Sequence, residues 1–193
     1  MFTLNLPNVL TLLRILLVPV LVVALIDTTS SSWLAAGVFA AASLTDAIDG
    51  YIARSRKQVT SFGKLMDPVA DKLLIIAALV VLVGQDRIPG WIAMVIIARE
   101  FAVTVTRMAA TGQGVVVSAN WWGKAKTMVQ VAAIFFLIAF DPTPVWVDLL
   151  VYAAVAITVV SAVDYFFGLR RMLREAEARR QPATVSSHSR IDV

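Results

Sequence analysis

The sequence predicts an all-α integral membrane protein, six transmembrane helices around a polar cavity that faces the cytoplasm. Three observations predict it. Hydrophobic residues make up 59% of the 193-residue chain and mean hydropathy is +0.81, above the roughly 45–50% apolar share of a soluble domain. Apolar runs close to the ~20 residues that cross a bilayer recur six times. Four aspartates fall inside two of those runs, where a carboxylate costs about 3 kcal/mol or more and by default marks a functional site.

The first predicted span, residues 8–27, contains the apolar run from Val9 to Ile26. It has no basic segment before it, carries Arg14 internally and shows no small-residue cleavage site, so it reads as a retained span rather than a signal peptide. The second and third spans, 33–54 and 63–84, carry Asp46 and Asp49, and Asp67 and Asp71, respectively. Pro68 sits between the last two and is expected to start or kink the third helix.

The fourth span, 89–109, carries Arg99 and Glu100. Arg99 lies eight residues inward from Arg107, ~12 Å at helical rise, too deep for snorkelling, so it is expected to line a watery cavity with Glu100 as its neutralising neighbour. Adjacent residues point apart on a helix, which leaves an interhelical partner for Glu100 as the alternative. The fifth span, 122–140, follows Trp121 and includes Trp122, both suited to an interfacial belt, and begins with Lys124 and Lys126. The sixth is 145–168. Residues 1–168 thus form one membrane domain and 169–193 a polar tail. The tail is basic to Arg180, fit to rest on anionic lipid, and of disordered composition beyond. No internal repeat is present, which disfavours a transporter built from inverted halves.

Connections at 27–32, 55–62, 84–90, 110–121 and 141–144 are mostly rich in Ser, Gly or Pro, the usual turn formers. An even number of spans puts both termini on one side. Arg54, Arg56, Lys57, Lys64, Arg107, Lys124, Lys126 and the arginines after Leu169 all belong to that side, and only Arg87 falls in an opposite loop. The positive-inside rule therefore predicts cytoplasmic termini in a cell (inner) membrane protein.

The chain has no cysteine and one histidine, His188, in the tail, which excludes disulfides, thiolate nucleophiles and a histidine phosphoenzyme. The net charge of +4 flanks apolar spans instead of forming a soluble basic patch, so no nucleic-acid partner is expected. Carboxylates, lysines and arginines must do any chemistry.

Asp46 and Asp49 are three residues apart and Asp67 and Asp71 four, so each pair shares one helix face. The two helices descend antiparallel from one cytoplasmic loop. Asp49 and Asp67 each lie five residues from its edges at Arg54 and Phe62, and Asp46 and Asp71 eight and nine. Four carboxylates at matching depth repel or take up protons unless a cation neutralises them. Oxygen-only ligands suit a hard divalent ion, Mg2+ or Mn2+, that leaves positions open for phosphate. Gly50 and Ala53 leave room on one helix face for a ligand or for close helix packing, and Arg54 offers a planar fork to phosphate.

Asp46, Asp49, Gly50, Ala53, Arg54, Gly63, Asp67 and Asp71, with every gap between them, reproduce the signature of the CDP-alcohol phosphatidyltransferases. The chain resembles that family from about residue 5 to 165. The segments Leu6-Pro7-Asn8-x-Leu10-Thr11-x-x-Arg14, Leu65 to Lys72, Ala98-Arg99-Glu100-Phe101 with Arg107, and Gly123-Lys124-x-Lys126-Thr127 are similar to the branch whose acceptor is sn-glycerol 3-phosphate. The resemblance implies a six-helix homodimeric enzyme that moves the phosphatidyl group of CDP-diacylglycerol to sn-glycerol 3-phosphate, releasing CMP. It implies that Asp46, Asp49, Asp67 and Asp71 hold one or two Mg2+ ions, with Asp71 also the general base. It assigns Asn8, Thr11, Gly50, Ala53, Arg54 and Thr60 to CDP-diacylglycerol, and Arg99, Arg107, Lys124 and Lys126 to the acceptor's phosphate. Two rivals remain: the same chemistry with inositol phosphate, serine or phosphatidylglycerol as acceptor, and a divalent-cation transporter using the aspartates as a permeation site.

Overall fold

A computed structural model describes residues 6–27, 33–56, 61–112 and 121–180. The described residues are all-α, in six helices: α1 Leu6–Ile26, α2 Trp33–Arg56, α3 Ser61–Gly84, α4 Gly90–Gly112, α5 Trp121–Ala139 and α6 Val145–Arg180. The first five match the predicted spans to within three residues at either end. Pro68 lies within α3 rather than starting it. α6 passes the predicted end at 168 and continues to Arg180, because Leu169 to Arg180 consists of strong helix formers and sets Glu175 four residues before Arg179.

Local chemistry sets the helix ends. α3 closes in a Schellman arrangement, with the Arg87 N–H donating to the Leu82 carbonyl (2.9 Å) and the Asp86 N–H to Val83 (3.1 Å). Asp86 takes the left-handed conformation at φ 56° that such a cap requires. α4 and α6 each follow a proline whose carbonyl accepts their first backbone bond, Ile92 to Pro89 (3.0 Å) and Val147 to Pro144 (2.9 Å). Asp148 sits in the first turn of α6, where a negative charge favours the helix dipole.

α1 packs against α2 and α3, α5 against α6 and α2, and α4 against α6 and α3. The core comprises Leu21, Leu25, Phe39, Leu74, Leu79, Leu82, Ile92, Ile134, Leu137, Ile138 and Val147, all 2% exposed or less. Buried alanines at 35, 36, 42, 78, 93 and 133 let the helix backbones approach closely.

At the end away from the aspartates, Phe136 meets Trp146 edge to face (4.9 Å between centroids), and Phe140 meets Trp146 (5.7 Å) and Trp33 (5.6 Å). Gln85 Nε2 donates to the Leu25 carbonyl (2.7 Å) and Arg87 Nη2 to that of Phe140. Burial lowers the Arg87 pKa from its ordinary value, opposed by the nearby Asp141 carboxylate.

Outside the core the bundle presents large apolar side chains to its surroundings, among them Leu16, Val23, Leu34, Met94, Val105, Met128 and Val160. A surface this apolar marks a lipid or protein contact rather than a face built for water. Val145–Gly168 is long and apolar enough to cross a membrane. Thr11–Ile26, Trp33–Thr45, Lys72–Gly84 and Thr127–Ala139 are shorter apolar stretches.

Candidate active site

Asp46, Asp49, Gly50, Ala53 and Arg54 lie on the C-terminal part of α2, and Asp67 and Asp71 on the N-terminal part of α3. These are consecutive helices in contact with each other. Continuous helix through both segments keeps the i, i+3 and i, i+4 spacings on shared faces. The side chains of these seven residues, and of Asn8, Arg107, Lys124 and Lys126, lie outside the described residues, and Thr60 does so entirely. The four carboxylates that the resemblance assigns to a metal are carried by two packed helices. Such hard oxygen donors fit Mg2+ or Mn2+ and not a thiophilic metal.

α1 packs on both helices, α2 and α3. Thr11 is 1% exposed and Arg14 0%, and each makes a polar or ionic interaction. A guanidinium taken wholly out of water is tolerable only with compensation. Arg14, noted in the sequence as a charge inside the first span and in the segment from Leu6, is therefore an integral part of the interior.

The described charges that come together lie one helix further on. Glu100 of α4 divides its carboxylate. Oε2 meets Lys72 Nζ of α3 at 2.9 Å, and Oε1 meets Arg99 Nη1 at 3.4 Å. Arg99 Nη2 then donates to Ser161 Oγ of α6 at 2.8 Å. Both sequence alternatives for Glu100 are thus realised at once, the neighbouring arginine and an interhelical partner. The three charged side chains are only 12–17% exposed, so the pairing is largely desolvated, which strengthens it electrostatically. Lys72 directly follows Asp71 in the chain, so the link fixes the height of the aspartate-bearing part of α3 against Arg99 on α4.

Lys72, Glu100, Thr127 and Gln130 share a small cavity between α3, α4 and α5, with isoleucines 75, 76, 96 and 97 around it. It encloses about 30 Å³ of space open to water, enough for a water molecule among polar partners. Thr127 brings the start of α5 to this cavity, and with it the backbone that carries Lys124 and Lys126. Arg99 also lines a wider cavity, about 440 Å³, on the flank of the α4–α6 contact.

Sequence reasoning singled out Arg99 but missed Lys72 and Ser161 as members of this network, and Gln130 beside it in the cavity. Lys72 carried a usable signal, a lysine inside an apolar run, with the interhelical alternative for Glu100 left open. Ser161 carried none, since a lone serine in an apolar helix is ordinary.

Comparison with known proteins bears on what this arrangement does. The family model described as CDP-alcohol phosphatidyltransferase matches residues 4–161. A CDP-diacylglycerol–glycerol-3-phosphate 3-phosphatidyltransferase of Bacillus subtilis (strain 168) is 42% identical over 184 residues, covering 84% of this chain and 93% of its own. A probable phosphatidylglycerophosphate synthase of Mycobacterium tuberculosis (strain CDC 1551 / Oshkosh) is 40% identical over 186 residues, covering 93% and 87%. A CDP-diacylglycerol–glycerol-3-phosphate 3-phosphatidyltransferase of Escherichia coli (strain K12) is 37% identical over 180 residues, covering 90% and 96%.

Proposed function

The chain belongs to the CDP-alcohol phosphatidyltransferase family, and from that premise we propose that it transfers the phosphatidyl group of CDP-diacylglycerol to sn-glycerol 3-phosphate, giving phosphatidylglycerol phosphate and CMP. The observation that carries the acceptor is the identity of 37–42% shared, over most of both chains, with relatives named for this reaction.

The residues divide the work in a way their chemistry supports. Asp46, Asp49, Asp67 and Asp71 hold one or two Mg2+ ions. When bound, the metal neutralises charge on the diphosphate and on the departing CMP. Gly50 and Ala53 leave the α2 backbone open to the nucleotide, Arg54 presents its fork to a phosphate, and Asn8, Thr11 and Thr60 complete the donor site. Arg99, Arg107, Lys124 and Lys126 receive the acceptor's phosphate, with Glu100 and Ser161 orienting Arg99. A carboxylate oxygen of Asp71 takes the proton of the attacking hydroxyl. The hydroxyl oxygen then bonds to the β-phosphorus as the bond to CMP breaks, a direct displacement governed by positioning and electrostatics. No histidine or cysteine nucleophile is needed.

The six helices, in this reading, cross the cell (inner) membrane, with both termini and the reaction centre on the cytoplasmic side and 169–193 as a basic tail. Helix lengths of 19 residues or more suit a bilayer, as do the outward apolar side chains and the one-sided placement of lysine and arginine. The family resemblance further suggests a homodimer.

The test is incubation of the purified full-length protein in detergent with CDP-diacylglycerol, MgCl2 and labelled sn-glycerol 3-phosphate. CMP release matched by label entering lipid is expected. Release of CMP only when another alcohol is supplied would keep the chemistry and overturn the acceptor.

A further inference from the structure

Lys72 belongs neither to the four aspartates nor to the cations assigned to the acceptor's phosphate. It lies ten residues along α3 from Phe62, ~15 Å at helical rise, and its Nζ meets Glu100 Oε2 at 2.9 Å with the side chain 16% exposed. Holding a lysine at such depth costs desolvation that one ion pair only partly offsets, so its place there calls for a reason beyond stability.

The cavity beside it excludes the simplest reason. The space open to water there is about 30 Å³, room for a water molecule and not for a phosphate group, so Lys72 does not itself hold the acceptor in this cavity. Isoleucines 75 and 76 of α3 and 96 and 97 of α4 line the same space and give the pair a low-dielectric setting, where attraction between charges is strong.

The carboxylate between the two cations gives Lys72 a different role. Glu100 Oε1 lies 3.4 Å from Arg99 Nη1, while Arg99 Nη2 donates to Ser161 Oγ at 2.8 Å. A carboxylate serving Arg99 alone is suited to take both guanidinium nitrogens in a bidentate fork, which would pull Nη2 off Ser161 and set a full negative charge against the arginine. With Oε2 engaged by Lys72, Glu100 keeps a single contact with Arg99, the second nitrogen stays with Ser161, and the ammonium offsets the carboxylate's charge.

We propose that Lys72 is a positioning residue for the acceptor: acting through Glu100, it sets the angle at which Arg99 meets the acceptor's phosphate and keeps Glu100 from cancelling the guanidinium's charge. The inference rests on the assignment of Arg99 to that phosphate. Because Lys72 directly follows Asp71, the same contact ties the helix that carries Asp67 and Asp71 to the residue that holds the acceptor.

The experiment is a double-mutant cycle on the purified full-length protein in detergent with CDP-diacylglycerol and MgCl2. Wild type, Lys72→Met, Glu100→Gln, the two changes together, and Lys72→Arg are assayed for kcat and for KM towards sn-glycerol 3-phosphate and CDP-diacylglycerol. Lys72→Met is expected to raise KM for the acceptor by roughly tenfold, within the span of coupling between residues of one ion-pair network, and to leave KM for CDP-diacylglycerol unchanged. Lys72→Arg, which keeps the charge, should recover most of that loss. Once Glu100 is neutral there is no carboxylate to offset, so adding Lys72→Met to Glu100→Gln should leave the acceptor's KM where Glu100→Gln alone sets it, and this comparison stands even where Lys72→Met does not fold by itself. A merely structural role would lower kcat per folded molecule or raise both KM values together. An effect of Lys72→Met that persists undiminished beside Glu100→Gln would show that Lys72 does not act through Glu100. Either result overturns the proposal. If wild type forms no lipid from sn-glycerol 3-phosphate, the acceptor reading fails and takes this role with it; if it does and Lys72→Met keeps the wild-type KM, only the role of Lys72 falls.

Discussion

The two ends of the bundle are built on opposite principles. Around Trp33, Phe136, Phe140 and Trp146 the contacts are ring on ring, and the polar links there, Gln85 to Leu25 and Arg87 to Phe140, end on neutral backbone carbonyls. Around Lys72, Glu100, Arg99 and Ser161 the interior instead holds charges and hydroxyls, and α1 carries a further fully buried charge, Arg14. One end is held by ring contacts, with the Arg87 guanidinium bonded to backbone. The other keeps desolvated charge, which is weak evidence for stability and good evidence for a site.

The comparison breaks most readily at the aspartates. Asp71→Asn should lower CMP release by roughly 10²–10⁴-fold, the span of general acid–base catalysis, while the melting temperature in detergent stays near wild type. Asp67→Asn should move the Mg2+ titration to higher concentration, and further than Asp71→Asn, which leaves metal binding partly intact. Identical metal dependence in the two variants would sink the division between ligand and base.

At the apolar end, Leu79→Ala removes a side chain only 1% exposed and should cost about 2–5 kcal/mol of stability. Thermal unfolding measures this directly, and kcat per folded molecule should not change. A selective loss of turnover would mean that the scaffold is not separable from the chemistry.

Glu100→Gln stands between the two regimes. Leaving Lys72 and Arg99 without their shared carboxylate should destabilise the fold by about 1–3 kcal/mol and raise KM for the acceptor more than KM for CDP-diacylglycerol. Equal rises in both would argue that Glu100 does not orient Arg99. The smallest effect is expected from Trp146→Leu. It keeps apolar bulk but removes two edge-to-face contacts, worth about 0.5–1.5 kcal/mol each. Unfolding should report a modest loss with unchanged kinetics.

How much was legible beforehand depended on what each feature needs. Helix positions followed from the lengths of the apolar runs, and so came out within three residues for α1 to α5. The end of α6 did not, because a basic, helix-forming segment such as Leu169 to Arg180 looks like a tail once hydropathy falls. Arg99 was visible because a guanidinium deep in an apolar run is costly. Glu100 posed two alternatives that spacing cannot decide, since a carboxylate has two oxygens and can serve both neighbours. Ser161 gave no signal, because a lone serine in an apolar helix becomes informative only when its partner on another helix is seen.

The sequence by itself determined the all-α class, the six apolar segments and the spacing of the four aspartates, together with the family that this spacing identifies. All of these are properties of residues near one another along the chain, governed by helix periodicity and the cost of charge among apolar neighbours. Only the tertiary structure decided that α4 meets both α3 and α6, that one carboxylate joins Lys72 to Arg99, and that α6 presents the Ser161 hydroxyl to Arg99. Those pairings join residues 28 and 62 positions apart, and packing between whole helices, which no local pattern encodes, brings them within hydrogen-bonding distance.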